Sequence, residues 1–182
     1  MVLSTKQGEP EMTETEFRIS HSKIIQYYQL IEDRLRGICA AMLADDDRNW
    51  YDRLDDYGTD ALGKLIYQVQ MIQKNGQFDF LSDEDIEGLH ELRKNRNYWC
   101  HECFIGDLPI TFKNGNVRRP VHCERLAKDF DEAVRWDEKL AAVFRSIDAS
   151  KDIRKGMFRG TEDTIVITGV QFYPLIDDKN KH

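Results

Sequence analysis

Arg96, Asn97 and His101 sit close together in the run Arg96-Asn97-Tyr98-Trp99-Cys100-His101. An imidazole with an ordinary pKa near ~6.5 can take or give a proton at neutral pH. A guanidinium grips a phosphate or carboxylate through a two-pronged set of N–H donors, and a carboxamide can orient either neighbour. These residue types suit acid–base work beside a bound anion. Their spacing is less direct. Residues five apart on an ideal α-helix differ by about 140° around the axis, so Arg96 and His101 are not expected to share a face. Arg93 is only about 80° from His101 and is the competing anion ligand within one chain. Asn97 stands one turn before His101, where its amide can orient the ring.

The element that carries them is read from Ser82 to about Phe104. Ser82 with Asp85 three residues on resembles a capping box, Asp83 and Glu84 suit the positive end of the dipole, and Gly106 and Pro109 stop the helix. Ile86, Leu89, Cys100 and Cys103 form its apolar stripe, with Leu92 and Trp99 alongside, and Arg96 falls in that stripe. A guanidinium there must be paired, for instance with Glu32 or Asp33, or must face a cavity or a subunit boundary. A second stripe, Glu87, His90, Lys94, Asn97 and His101, is polar, and an ordinary solvated face has the same pattern.

The rest of the chain reads as a mainly α bundle of antiparallel helices with a small β addition. Residues 1–18 are a polar, acidic tail, and residues 19–148 are the bundle. A first helix from about Ser20 to Ala44 shows Ile24, Tyr28, Ile31, Leu35, Ile38 and Met42 at alternating spacings of four and three. The acidic segment around Trp50 and Tyr51 is a short helix or a loop. Another helix runs from about Thr59 to Asn75, with Thr59 or Asp60 as cap and Asn75-Gly76 as stop. Asn114-Gly115 between extended residues signals a hairpin near 107–120. A last long helix spans about Cys123 to Ile147. Residues 149–182 read as a basic loop and a β-strand extension.

With 182 residues and 41% apolar content, the chain can build a core. It holds no apolar run near the ~18 residues of a membrane span, and no apolar leader, so a cytoplasmic location is expected. The net charge of −7 argues against a broad phosphate-binding face. Residues 93–122 nevertheless hold six basic side chains against Glu102 and Asp107. Cys100 and Cys103, with His122-Cys123 further on, offer zinc-type ligands, but inside a helix and without a second CxxC pair. No metal and no cofactor is expected.

The helix layout, the segment Tyr27 to Arg36, and an arginine, a polar residue, a short spacer and a histidine late in a central helix resemble the HEPN superfamily over roughly residues 20–148. Members of that superfamily are helical bundles, usually dimers, and many are metal-independent ribonucleases, including toxins and phage-defence effectors. The resemblance implies an endoribonuclease acting on RNA, a homodimer, and a restraining antitoxin or regulatory partner. It implies that His101 is general base or acid, that Arg96 stabilises the pentavalent phosphate, and that Asn97 orients His101 or binds the phosphate. Attack by the 2′-hydroxyl would leave a 2′,3′-cyclic phosphate and a 5′-hydroxyl. Arg93, Lys94 and Tyr98 are candidate substrate contacts. In one departure, Cys103 stands where toxins paired with a nucleotidyltransferase carry a tyrosine, so control by nucleotidylation there is not expected. The alternative is a non-catalytic helical interaction or RNA-binding module of such a system.

Overall fold

A computed structural model describes residues 12–44, 47–76 and 79–151, without the side chains of 148–151. The expected strand extension of 149–182 therefore lies almost wholly outside the described residues. Five α-helices and one two-stranded hairpin make up the rest: α1 (Glu14–Leu43), α2 (Trp50–Asp55), α3 (Leu62–Lys74), α4 (Asp83–Asn97), β1 (Phe112–Lys113), β2 (Asn116–Val117) and α5 (Pro120–Lys151). A π-helical turn, Tyr98–Glu102, continues α4.

Helix α1 begins six residues before the expected Ser20, so the polar tail ends at Thr13. Thr13 caps it in a reciprocal box: its hydroxyl accepts from the Glu16 amide at 3.2 Å, and the Glu16 carboxylate accepts from the Thr13 amide at 2.9 Å. The Thr13 hydroxyl also donates to the Glu16 carboxylate at 2.7 Å, and that bond, with the one from the Thr13 amide, holds the Glu16 carboxyl below its usual range. The residues ahead of the helix add to the hairpin edge, with Val117 N–H donating to the Met12 carbonyl and Glu14 N–H to that of Gly115. Asn114 and Gly115 both take positive φ, 53° and 79°, as the tight hairpin turn demands. All six apolar residues of the expected α1 stripe are buried.

Two other helix starts differ from expectation. Helix α3 starts at Leu62 after an Ala61 cap that makes no side-chain bond, because the Asp60 carboxylate is taken by Lys64 at 2.7 Å. Gly76, at φ 72°, ends that helix region as expected. Helix α5 starts at Pro120, three residues early. Proline suits the first helical position, where its missing N–H costs no bond.

The bundle is of mixed direction rather than antiparallel throughout. Tyr27 packs edge-on against Phe130, Arg34 pairs with Asp137, and Gly37 lies against Phe144. These partners ascend together, so α1 and α5 run parallel. Helix α4 runs against both. Asp85 pairs with Lys139, Gly88 meets Trp136, Asn95 donates to Glu132, and Trp99 bonds Asp129. Among the described residues no helix is long and apolar enough to cross a membrane.

At Gly88 the Trp136 ring of α5 packs directly onto the α4 backbone. A methyl group there would stand 2.7 Å from the Trp136 ring. Gly88→Ala gains about 1 kcal/mol of helix propensity, but overpacking a rigid ring costs about 1–3 kcal/mol. The expected net result is a lower urea midpoint than wild type, with the slope unchanged. A raised midpoint would show that Trp136 swings aside freely.

Candidate functional site

The late part of α4 does not stay α-helical. Cys103 N–H bonds the carbonyl of Tyr98 at 2.9 Å, five residues back, where an α-helix would bond Trp99. In such a widened turn, residues five apart lie one turn apart. Arg96 and His101 therefore come onto the same side, contrary to the expectation from α geometry. The Arg96 Nη1 lies 3.4 Å from His101 Nε2. Arginine has no acceptor, so at this contact His101 presents Nε2 as a lone pair. Both groups come from the same chain.

Asn97 contacts Arg96, not His101. Its Oδ1 accepts from Arg96 Nη1 at 3.3 Å. The opposite end of the guanidinium meets Glu32 of α1, with Nη2 to Oε1 at 3.1 Å. This is ion-pair proximity without hydrogen-bond alignment, since Glu32 Oε1 makes no hydrogen bond. The other Glu32 oxygen lies 3.6 Å from Arg36. Arg96 is thus paired within the chain, and the α1 acid anticipated as one of its possible partners is the one in place. The arginine keeps 27% of its side chain exposed, and Asn97 and His101 lie open to solvent beside it.

The three candidate substrate contacts do not join this cluster. The Arg93 guanidinium lies over Gly63 of α3. Lys94 is exposed and pairs with Glu91 at 2.6 Å. Tyr98 faces α5, with the Arg125 guanidinium 3.5 Å above its ring. Burial outweighs that cation and pushes its phenol up.

A residue absent from the sequence expectations holds the turn. The widened bonding releases the Trp99 carbonyl from Cys103 N–H. His21 of α1 supplies a donor instead, with Nε2 at 2.9 Å, and the Cys103 thiol adds a contact at 3.3 Å. The His21 ring sits between Phe17, Trp99 and Phe104. Nothing local in the sequence signals this, because the partners are 78 residues apart.

The cysteines are not primed as nucleophiles. Burial pushes the Cys103 thiol up to about 11, and burial raises Cys100 against the opposing pull of Arg96. Among the described residues, no three His, Cys, Asp or Glu side chains gather in a way that could hold a metal ion. Compared with known proteins, the chain matches no family model, no curated protein and no solved structure.

His21→Leu keeps the apolar contacts and removes the donor to the Trp99 carbonyl. The carbonyl then keeps only the weak Cys103 thiol as donor, and losing its stronger partner costs about 1–3 kcal/mol. The expected outcome is a loss of that size in urea unfolding, together with a changed chemical shift of the His101 ring as the turn relaxes towards α geometry. A stability loss with the His101 signal unmoved would show that the turn holds without His21.

Proposed function

We propose that the chain is a metal-independent endoribonuclease of HEPN type, with His101, Arg96 and Asn97 as its catalytic group. The observation that carries this reading is the meeting of Arg96 and His101 at 3.4 Å on a solvent-accessible edge of the bundle. As the Arg96 guanidinium turns to the phosphate it releases the Nε2 lone pair of His101, which takes the proton from the 2′-hydroxyl. The resulting oxyanion attacks the adjacent phosphorus, and the bond to the 5′-oxygen breaks as that oxygen gains a proton from solvent water. Arg96 lies where it can share the charge that builds on the phosphoryl oxygens, and Asn97 steadies Arg96. Lys94, exposed nearby on the same helix, would meet the RNA backbone. A second copy of the chain, which the family resemblance implies, would double this cluster rather than complete it. Use as a toxin or defence effector, held in check by a partner protein, is part of the same proposal.

The ion pair between Arg96 and Glu32 favours a second reading, a helical RNA-binding or interaction module without catalysis. There the arginine is structural, and His101 is one more polar residue on a wet face.

Total RNA incubated with the protein in EDTA separates the two. The nuclease reading expects fragments ending in 2′,3′-cyclic phosphates. It expects His101→Ala to lower the rate about 10²–10⁴-fold and Arg96→Ala to lower it about 10²–10³-fold, with the circular dichroism of both variants unchanged. Intact RNA after incubation with wild type at micromolar concentration would overturn it in favour of the module.

A further inference from the structure

Seven large apolar side chains are exposed among the described residues, and four of them, Phe104, Ile105, Leu108 and Val121, belong to the end of the bundle where α5 begins. Ile105 is 82% exposed, and Leu108 and Val121 each about half. Leu108 and Val121 share a cleft of about 250 Å³ with Tyr98 and Arg125 on the other side of the π-helical turn. Small-molecule sites are commonly about 300–1,000 Å³, so this cleft suits single side chains of a polypeptide. Three of the four exposed residues are aliphatic, whereas nucleobases are held on aromatic faces. A grouped apolar surface of this kind marks a protein contact.

We propose that this cleft is the docking site of the chain's own residues 172–176, with Phe172, Tyr173, Leu175 and Ile176 covering Leu108 and Val121. Reach selects that stretch of the C-terminal sequence. Between Val121 and Lys151, α5 carries the chain about 45 Å away from the cleft. Extended chain returns about 3.3–3.6 Å per residue. Thr164, roughly 13 residues past Lys151, is at the limit of that return, whereas Phe172, roughly 21 residues past it, has slack to spare. Residues 1–11 start nearer, ahead of Met12, but offer only Met1, Val2 and Leu3 as large apolar residues. Pro174 lacks an N–H, which suits an extended segment lying in a cleft better than the interior of a sheet. Charge agrees with this occupant. Arg118 and Arg119, just ahead of α5, are exposed and form no ion pair among the described residues. Asp177 and Asp178 follow the apolar run directly. Two exposed carboxylates, Glu102 and Asp107, also border the cleft, and Lys179 and Lys181 come next in the sequence to answer them. The docking does not depend on cleavage at His101.

The test is photo-crosslinking in the full chain, with benzoylphenylalanine in place of Leu108, a half-exposed position on the wall of the cleft. After irradiation, the products are separated by mass, digested with trypsin and sequenced by mass spectrometry. The expected result is a crosslink within a single chain to the peptide of residues 160–179, at a position between 172 and 176. Phe172→Asp combined with Leu175→Asp puts two carboxylates against an apolar wall and should lower the yield of that crosslink severalfold. Four results overturn the proposal: no crosslink to 172–176, a crosslink to residues 1–11 in its place, a crosslink joining two chains, or a yield that the double substitution leaves unchanged. The third assigns the cleft to a second copy of the chain. Label transferred to added RNA in place of the peptide assigns it to a nucleic-acid strand and overturns the proposal as well. The crosslink in the otherwise wild-type chain is decisive even if the double variant fails to fold.

Discussion

One hydrogen bond, from Cys103 N–H to the Tyr98 carbonyl, sets the local geometry of this protein. It widens a single turn at the end of α4 and so changes which side chains meet. Arg96 and His101 converge on one side of that turn, while Tyr98 and Glu102 fall to the other and wall a cleft against α5. The widened turn survives because its cost is met from both neighbouring helices. His21 of α1 satisfies the released Trp99 carbonyl. From α5, Asp129 accepts the Trp99 indole N–H at 2.8 Å, a bond between two buried groups. Trp99 is thus pinned through its backbone to one helix and through its ring to another. A side chain with 0% exposure and two such anchors leaves the turn little room to slide back into α register.

Much of this fold is legible in the sequence. Ser82 with Asp85 announces the start of α4, and the structure shows both halves of that capping box. The six-residue stripe of α1 is buried throughout, and Asn114-Gly115 forms the hairpin turn. These signals are local: a period, a cap, a pair of residues that tolerate positive φ. The same kind of signal, Thr13 with Glu16, also marks the true start of α1, but the acidic composition around it reads as a tail. Pro120 marks the start of α5 in the same way, yet a proline after two arginines reads equally well as the end of a loop.

The site was less legible for a physical reason. Reading faces from spacing assumes about 3.6 residues per turn, and the stretch from Tyr98 to Glu102 departs from that period. Under the assumed period, Arg96 and His101 point apart, and Arg93 is the better partner. In the structure Arg93 leans over Gly63 and Arg96 takes its place. The contacts that stabilise the departure come from residues 21 and 129, far off in sequence, which no period can reveal. The position of Arg96 in an apolar stripe was the visible trace. A charged residue out of pattern must have a partner, and Glu32 is that partner.

That ion pair and a phosphate-binding role do not exclude each other, because a guanidinium carries five N–H donors. Glu32 engages one side of Nη2, and Asn97 and His101 share Nη1. The Arg96 Nε–H makes no bond among the described residues, and the side chain keeps part of its surface in water. The carboxylate therefore fixes the position of the guanidinium without exhausting it. Fixing matters more than it would for a loose surface arginine, since a donor already held in place loses less freedom when charge develops beside it. Glu32 itself is shared with Arg36, so neither arginine is fully neutralised by it. Arg36 is also paired with Asp33, so the two arginines and two carboxylates balance in charge, and what stands beside the exposed imidazole of His101 is a held guanidinium rather than an excess of positive charge.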